Sequence, residues 1–127
     1  MARVAVAVAA DDAAVRAGLS RLFGRMPEFT VADVASGAPD GVELDLLVLD
    51  IWPPAPGRAE ALCARWHLRQ PGAAIIAVVH HPSPGLLQRV RRAGGTALWP
   101  KGDMRELPAY ALDLIRQRAL PEARPLA

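Results

Sequence analysis

The sequence contains one cysteine, Cys63. A single thiol excludes a disulfide framework and a cysteine metal cluster, and it fits a reducing compartment. Long hydrophobic runs are also missing: none approaches the roughly 20 residues a membrane span needs. The start, MARVAVAVAADD, is a short apolar stretch that meets two acids at once. That is not the pattern of a signal peptide, so a cytoplasmic location is expected. Lysine is almost absent. Of fifteen Lys and Arg residues only Lys101 is lysine. With so much Ala, Gly and Pro, the arginine bias fits a GC-rich genome. The net charge of +2 is too mild to argue for nucleic acid. No glycine-rich phosphate loop follows the first apolar stretch, and no nucleophile–base pair is legible. An enzyme is therefore not expected, although fold alone does not exclude a small one.

What is present is an alternation of two periodicities. RVAVAVAA (Arg3 to Ala10), FTVADVAS (Phe29 to Ser36), LLVL (Leu46 to Leu49), AAIIAVV (Ala73 to Val79) and TALWP (Thr96 to Pro100) read as strands. The third and fourth are uniformly apolar, as strands covered on both faces are. Between them lie helical stripes. Val15, Leu19, Leu22 and Phe23 share one face, with Asp11 or Asp12 as the cap. Ala59, Leu62, Cys63 and Trp66 share the next, closed by Pro71. Leu86, Val90 and Ala93 share a third, stopped by Gly94. Leu107, Ala111, Leu114 and Ile115 form a last stripe over Glu106 to Leu120, with Pro108 in its first turn. Strands alternating with helices imply a parallel sheet with right-handed crossovers. With 127 residues and no internal repeat, one domain over residues 1–120 is expected, followed by a tail or the start of a linker over 121–127. The expected fold class is α/β, a flavodoxin-like, doubly wound, five-stranded parallel sheet of order 2-1-3-4-5. Its functional crevice should lie beyond the carboxyl ends of the strands.

Asp11 and Asp12 stand at the end of the first strand, Asp50 at the third, His80 and His81 at the fourth, and Lys101 at the fifth. Clustered carboxylates repel one another unless a cation lies between them, and oxygen ligands suit Mg²⁺. A lysine ammonium suits phosphate. A carboxylate beside both can accept a phosphoryl group. His80 and His81 make no ligand pattern with another His or Cys and read as loop residues beside Pro82 and Pro84.

The motifs LDLLVLDIWPP, ADDAAVRAGLSRLF and RRAGGTALWPKGD, in this order and spacing, resemble the receiver domains of bacterial two-component response regulators. The likeness covers nearly the whole chain and is greatest to LuxR/NarL-type receivers, which implies signal transduction and transcription regulation. It makes Asp50 the phospho-acceptor and Lys101 the phosphate-binding residue. Asp11, Asp12 and Asp50 become the candidate Mg²⁺ ligands. Aligned through VRAGL, Asp11 takes one acidic position and Ala10 the other. A one-residue deletion would restore both acids, so which of Asp11 and Asp12 faces the pocket stays open. A sensor histidine kinase is the implied phosphodonor. Homodimerisation is implied through the family's fourth helix, fifth strand and fifth helix, with Arg89, Arg92 and Trp99 on that surface. No membrane partner is expected, and DNA only through an output domain outside this chain.

Four departures from the family pattern point to an atypical receiver. Where the family ends its fourth strand in Ser or Thr, this chain has Val79, which has no hydrogen-bond donor; a shift of one residue offers His80. The switch aromatic of the fifth strand falls on Leu98, and Trp99 should face the other way. The segment from Ser36 to Asp45 is too short for the family's second helix and should be a turn or loop. Gly102 follows the lysine where the family has proline. Trp52, two residues past the acceptor, is placed to anchor a partner, to shield the pocket, or to pack on Pro53 and Pro54.

Overall fold

The computed structural model describes residues 3–32 and 42–119. Its elements run β1 (Val4–Ala9), α1 (Ala13–Gly24), β2 (Phe29–Ala32), β3 (Leu46–Asp50), α2 (Arg58–Arg69), β4 (Ala74–Val79), α3 (Pro84–Arg92), β5 (Ala97–Pro100), a 3₁₀ segment (Lys101–Glu106) and α4 (Leu107–Ala119). The five strands form one parallel sheet in the order β2-β1-β3-β4-β5. This is the expected fold class and strand order.

Alternation along the strands builds two cores. Val6, Val8, Leu46, Val48, Ile76 and Val78 face one side, where Leu19 and Phe23 of α1 and Leu107, Ala111 and Leu112 of α4 close over them. Ala7, Leu47, Leu49, Ile75, Ala77 and Val79 face the other, beneath Ala59, Cys63 and Trp66 of α2 and Val90 of α3. Every residue of β3 and β4 is buried. That is why these strands carry no polar alternation. On the first face Phe23 meets Phe29 edge-to-face at 4.9 Å, tying α1 to β2.

The helical stripes lie where their spacing put them, with Val15, Leu22, Leu62, Leu86, Ala93, Leu114 and Ile115 partly buried at the margins. Two boundaries differ from the sequence reading. The last helix starts at Leu107 because Lys101–Glu106 winds as a 3₁₀ segment first. β2 ends at Ala32, and the expected strand residues 33–36 lie outside the described residues. Most of the shortened second-helix segment, residues 36–41, also lies outside them. Among the described residues no helix stands between β2 and β3.

Long-range polar contacts set where β3 begins. The Ala5 amide donates to Asp45 Oδ2 at 2.9 Å, and the Asp45 amide to the Ala5 carbonyl at 2.9 Å. Gln70, buried at the end of α2, accepts from the Leu44 amide at 3.1 Å and donates to the Val42 carbonyl at 2.8 Å. These contacts hold β3 in register between β1 and β4, which places Asp50 at the sheet's carboxyl edge.

Cys63 is fully buried between α2 and α3. Burial, and to a lesser degree the Glu60 carboxylate, pushes its thiol from 9.0 up to about 12. The folded thiol therefore stays protonated where the unfolded one ionises. The stabilisation is fully present below pH 9.0 and is lost as pH rises toward 12. Because the thiolate is the nucleophile, Cys63 should resist an aromatic disulfide reagent at pH 8 and react fully once guanidinium unfolds the chain. Rapid labelling without denaturant would contradict this burial.

Candidate functional site

The carboxyl edge of the sheet gathers the residues singled out above, but not as one cluster. Asp50 is the last residue of β3, and its side chain is 2% exposed. The ladder continues one step beyond it through the Ile51 amide on the Val78 carbonyl at 3.0 Å, which fixes the start of the loop. Lys101 follows β5 directly and places Nζ 2.8 Å from Asp50 Oδ1. The contact is an ion pair off the axis of a hydrogen bond, and Oδ1 accepts from no other group. The sequence reading paired these two residues, and the fold brings them into contact.

Trp52 lies over the Lys101 ammonium. Its ring centroid is 5.2 Å from Lys101 Nζ, within cation–π range. His80 meets the same ring edge-on at 5.7 Å. Trp52 thus contacts the Lys101 ammonium and His80 while the residue stays 48% exposed. His81 stands 6.2 Å from His80, ring to ring, and is exposed.

The remaining acids are engaged elsewhere. Asp12 is the N-cap of α1, accepting through Oδ1 from the amides of Ala14 at 2.8 Å and Val15 at 3.3 Å. Between Asp11 and Asp12 as the cap, the structure selects Asp12. Asp11 Oδ2 pairs with Arg58 Nη2 at 3.2 Å. The Ala10 carbonyl accepts from Arg16 Nη1 at 2.8 Å. A Mg²⁺ ion demands near-octahedral oxygen ligands and gives up water reluctantly. Among the described residues no three His, Cys, Asp or Glu side chains are placed to share a metal ion. Asp11, Asp12 and Asp50 therefore form no three-carboxylate site among the described residues, and each is engaged by a protein group.

Val79 and Leu98, which the family resemblance couples to Asp50, are buried and partly buried against the core. Val79 ends β4, is 5% exposed, and packs on the α2–α3 face. Leu98 packs on the same face, whereas Trp99 packs on the α1–α4 face. Trp99 stacks on Tyr110 at 4.7 Å and donates from Nε1 to the Asp103 carbonyl at 2.9 Å. It is partly buried. Arg89 is tied to Glu60 at 2.9 Å, and Arg92 is exposed.

Next to Ile51, which follows Asp50, a cleft of about 360 Å³ opens between the β3–α2 and β4–α3 loops. Ile51, Val79 and Leu86 supply apolar walls, and the Glu60–Arg89 pair and His80 supply its polar edge. Sequence reasoning missed Arg58 and Glu60. Both sit on α2 and gain their meaning only from partners 47 and 29 residues away.

No family model and no curated protein sequence matches the chain. Solved structures do. A response regulator from Thermotoga maritima superposes with a TM-score of 0.72 at 13% identity, over 90% of this chain and 98% of its own. A LuxR-family two-component response regulator from Aurantimonas gives 0.71 at 24%, over 91% and 87%. A protein described as pilus assembly-related, from Burkholderia pseudomallei, gives 0.72 at 23%, over 90% of each chain. The fold is thus the receiver fold of two-component response regulators, as the sequence resemblance implied. It also serves at least one protein described by a role in pilus assembly.

Proposed function

We propose that this chain is an atypical receiver-type signalling module that acts through protein contacts, without a phosphorylation cycle at Asp50. One observation carries the reading: the Asp50 carboxylate is 2% exposed and held by Lys101, while the strand end beside it presents Val79, which cannot hydrogen-bond a phosphoryl oxygen. Leu98 likewise offers no aromatic that could swing in response. No residue here is assigned a catalytic role. The neighbours support two-component signalling as the setting, with a homodimer or a heterologous partner on the α3–β5–α4 side, where Arg92 is free to contact it. The described residues include no helix long and apolar enough to cross a membrane. The pilus assembly-related neighbour agrees with a receiver fold used for assembly.

The second reading is a conventional, Mg²⁺-dependent phospho-acceptor served by a sensor histidine kinase. It is favoured by the 2.8 Å Lys101–Asp50 contact, which puts an ammonium where a phosphoryl group would be received.

Incubation with acetyl phosphate and Mg²⁺ separates the two. We expect no phosphoryl adduct by intact mass, and equal sedimentation of wild type and Asp50→Asn across a concentration series. A stoichiometric adduct that is lost in Asp50→Asn and shifts the association state would overturn the first reading and establish the second.

A further inference from the structure

We infer that Arg58 is a built-in counter-cation of the acidic rim, held where a receiver fold would otherwise recruit a divalent metal ion. This deepens the reading of the same edge proposed above. Arg58 is the first residue of α2 and reaches across to the β1–α1 loop, setting Nη2 3.2 Å from Asp11 Oδ2. Its side chain is 31% exposed. The Nε atom is shielded from solvent and has no hydrogen-bond partner, so the stem is packed into the rim rather than waving above it.

Such a pair is weak when judged alone, because Asp11 is 75% exposed. What opposes a metal is that each of the three acids already has a partner in the fold. Asp50 is held by Lys101, Asp12 by two helix amides, and Asp11 by Arg58. The Asp11 side chain is 75% exposed, and the cation beside it is the guanidinium. A guanidinium is weakly hydrated and planar, so it neutralises a carboxylate without the dehydration that a hard divalent ion must undergo. A divalent ion at Asp11 would have to displace the Arg58 guanidinium from the carboxylate.

The test is Mn²⁺ binding to the full chain, read by the free-ion electron paramagnetic resonance signal. Wild type should show no site in the low-millimolar range. Arg58→Gln, which keeps the stem and removes the charge, should gain a site at least about tenfold tighter. That site should vanish again in the Arg58→Gln/Asp11→Asn double variant. Arg58→Lys keeps the charge and should stay blank, and Arg58→Met, a second neutral variant, should gain the same site, which covers the case in which Arg58→Gln does not fold. A wild-type site as tight as that of Arg58→Gln would overturn the inference. So would an Arg58→Gln protein that is folded by circular dichroism and still blank. Neither result bears on whether association depends on Asp50, so failure here and failure of the assembly reading are separately visible.

Discussion

Lys101→Met should lower the unfolding free energy by about 3 kcal/mol, and adding Asp50→Asn should restore at least half of that loss. The argument starts from burial. The Asp50 side chain is 2% exposed and the Lys101 side chain 17%. Removing the ammonium leaves a carboxylate in an apolar surround, with Oδ1 contacted by nothing else. An uncompensated buried charge costs several kcal/mol, whereas a neutral Asn in the same place costs only its unmade hydrogen bonds, about 1–3 kcal/mol. The cation–π contact with Trp52 is lost at the same time, but that side chain is half exposed and contributes about 0.5–1 kcal/mol. For a domain of this size the single variant should melt about 10 °C lower. Urea titration of the wild type, both single variants and the double variant closes the cycle. A Lys101→Met loss below about 1 kcal/mol would place the pair in solvent, as surface ion pairs behave. It would also remove the basis for calling Asp50 locked.

Gly95→Ala should be nearly as costly, about 3 kcal/mol, although it adds a single methyl group. α3 closes in a Schellman motif: the Gly95 amide donates to the Val90 carbonyl at 2.8 Å and the Gly94 amide to the Arg91 carbonyl at 3.1 Å. Gly94 carries the positive φ, 107°, that the motif needs. Gly95 has the opposite problem, which is space. A Cβ there overlaps Val90 Cγ1 and lies 3.0 Å from Cys63 Sγ and 3.1 Å from the Val90 carbonyl oxygen. None of these is the free end of a flexible side chain. Relief requires moving α3 off α2, or moving the start of β5, which delivers Lys101 to Asp50. The control is Gly18→Ala in α1, where nothing lies within 4 Å. It should stabilise by roughly 0.5–1 kcal/mol, because alanine is the better helix residue. Equal and small effects at both positions would mean that the α2–α3–β5 junction is looser than its packing implies.

Both predictions concern residues whose importance the sequence showed unequally. Lys101 stood out as the sole lysine at a strand end, so its pairing with Asp50 could be read in advance. Gly95 looked like the second half of a helix stop. Its close approach to Cys63 depends on α2 lying against α3, and no local pattern encodes that distance. Arg58 was legible only as the first residue of a helix.

The sequence by itself determined the order of elements, the five-stranded parallel sheet and the positions of Asp50 and Lys101 at its edge. The reason is that hydrophobic period and strand-end polarity are local properties, and the crossover rule leaves few ways to arrange them. The opposite facing of Leu98 and Trp99 followed from alternation alone. Only the tertiary structure decided how the charges were shared. Asp12 went to a helix cap and Asp11 to Arg58, while Lys101 took Asp50 under the Trp52 ring. A carboxylate's partner is whichever donor the fold carries within about 3 Å, and for Asp11 that donor lay 47 residues along the chain.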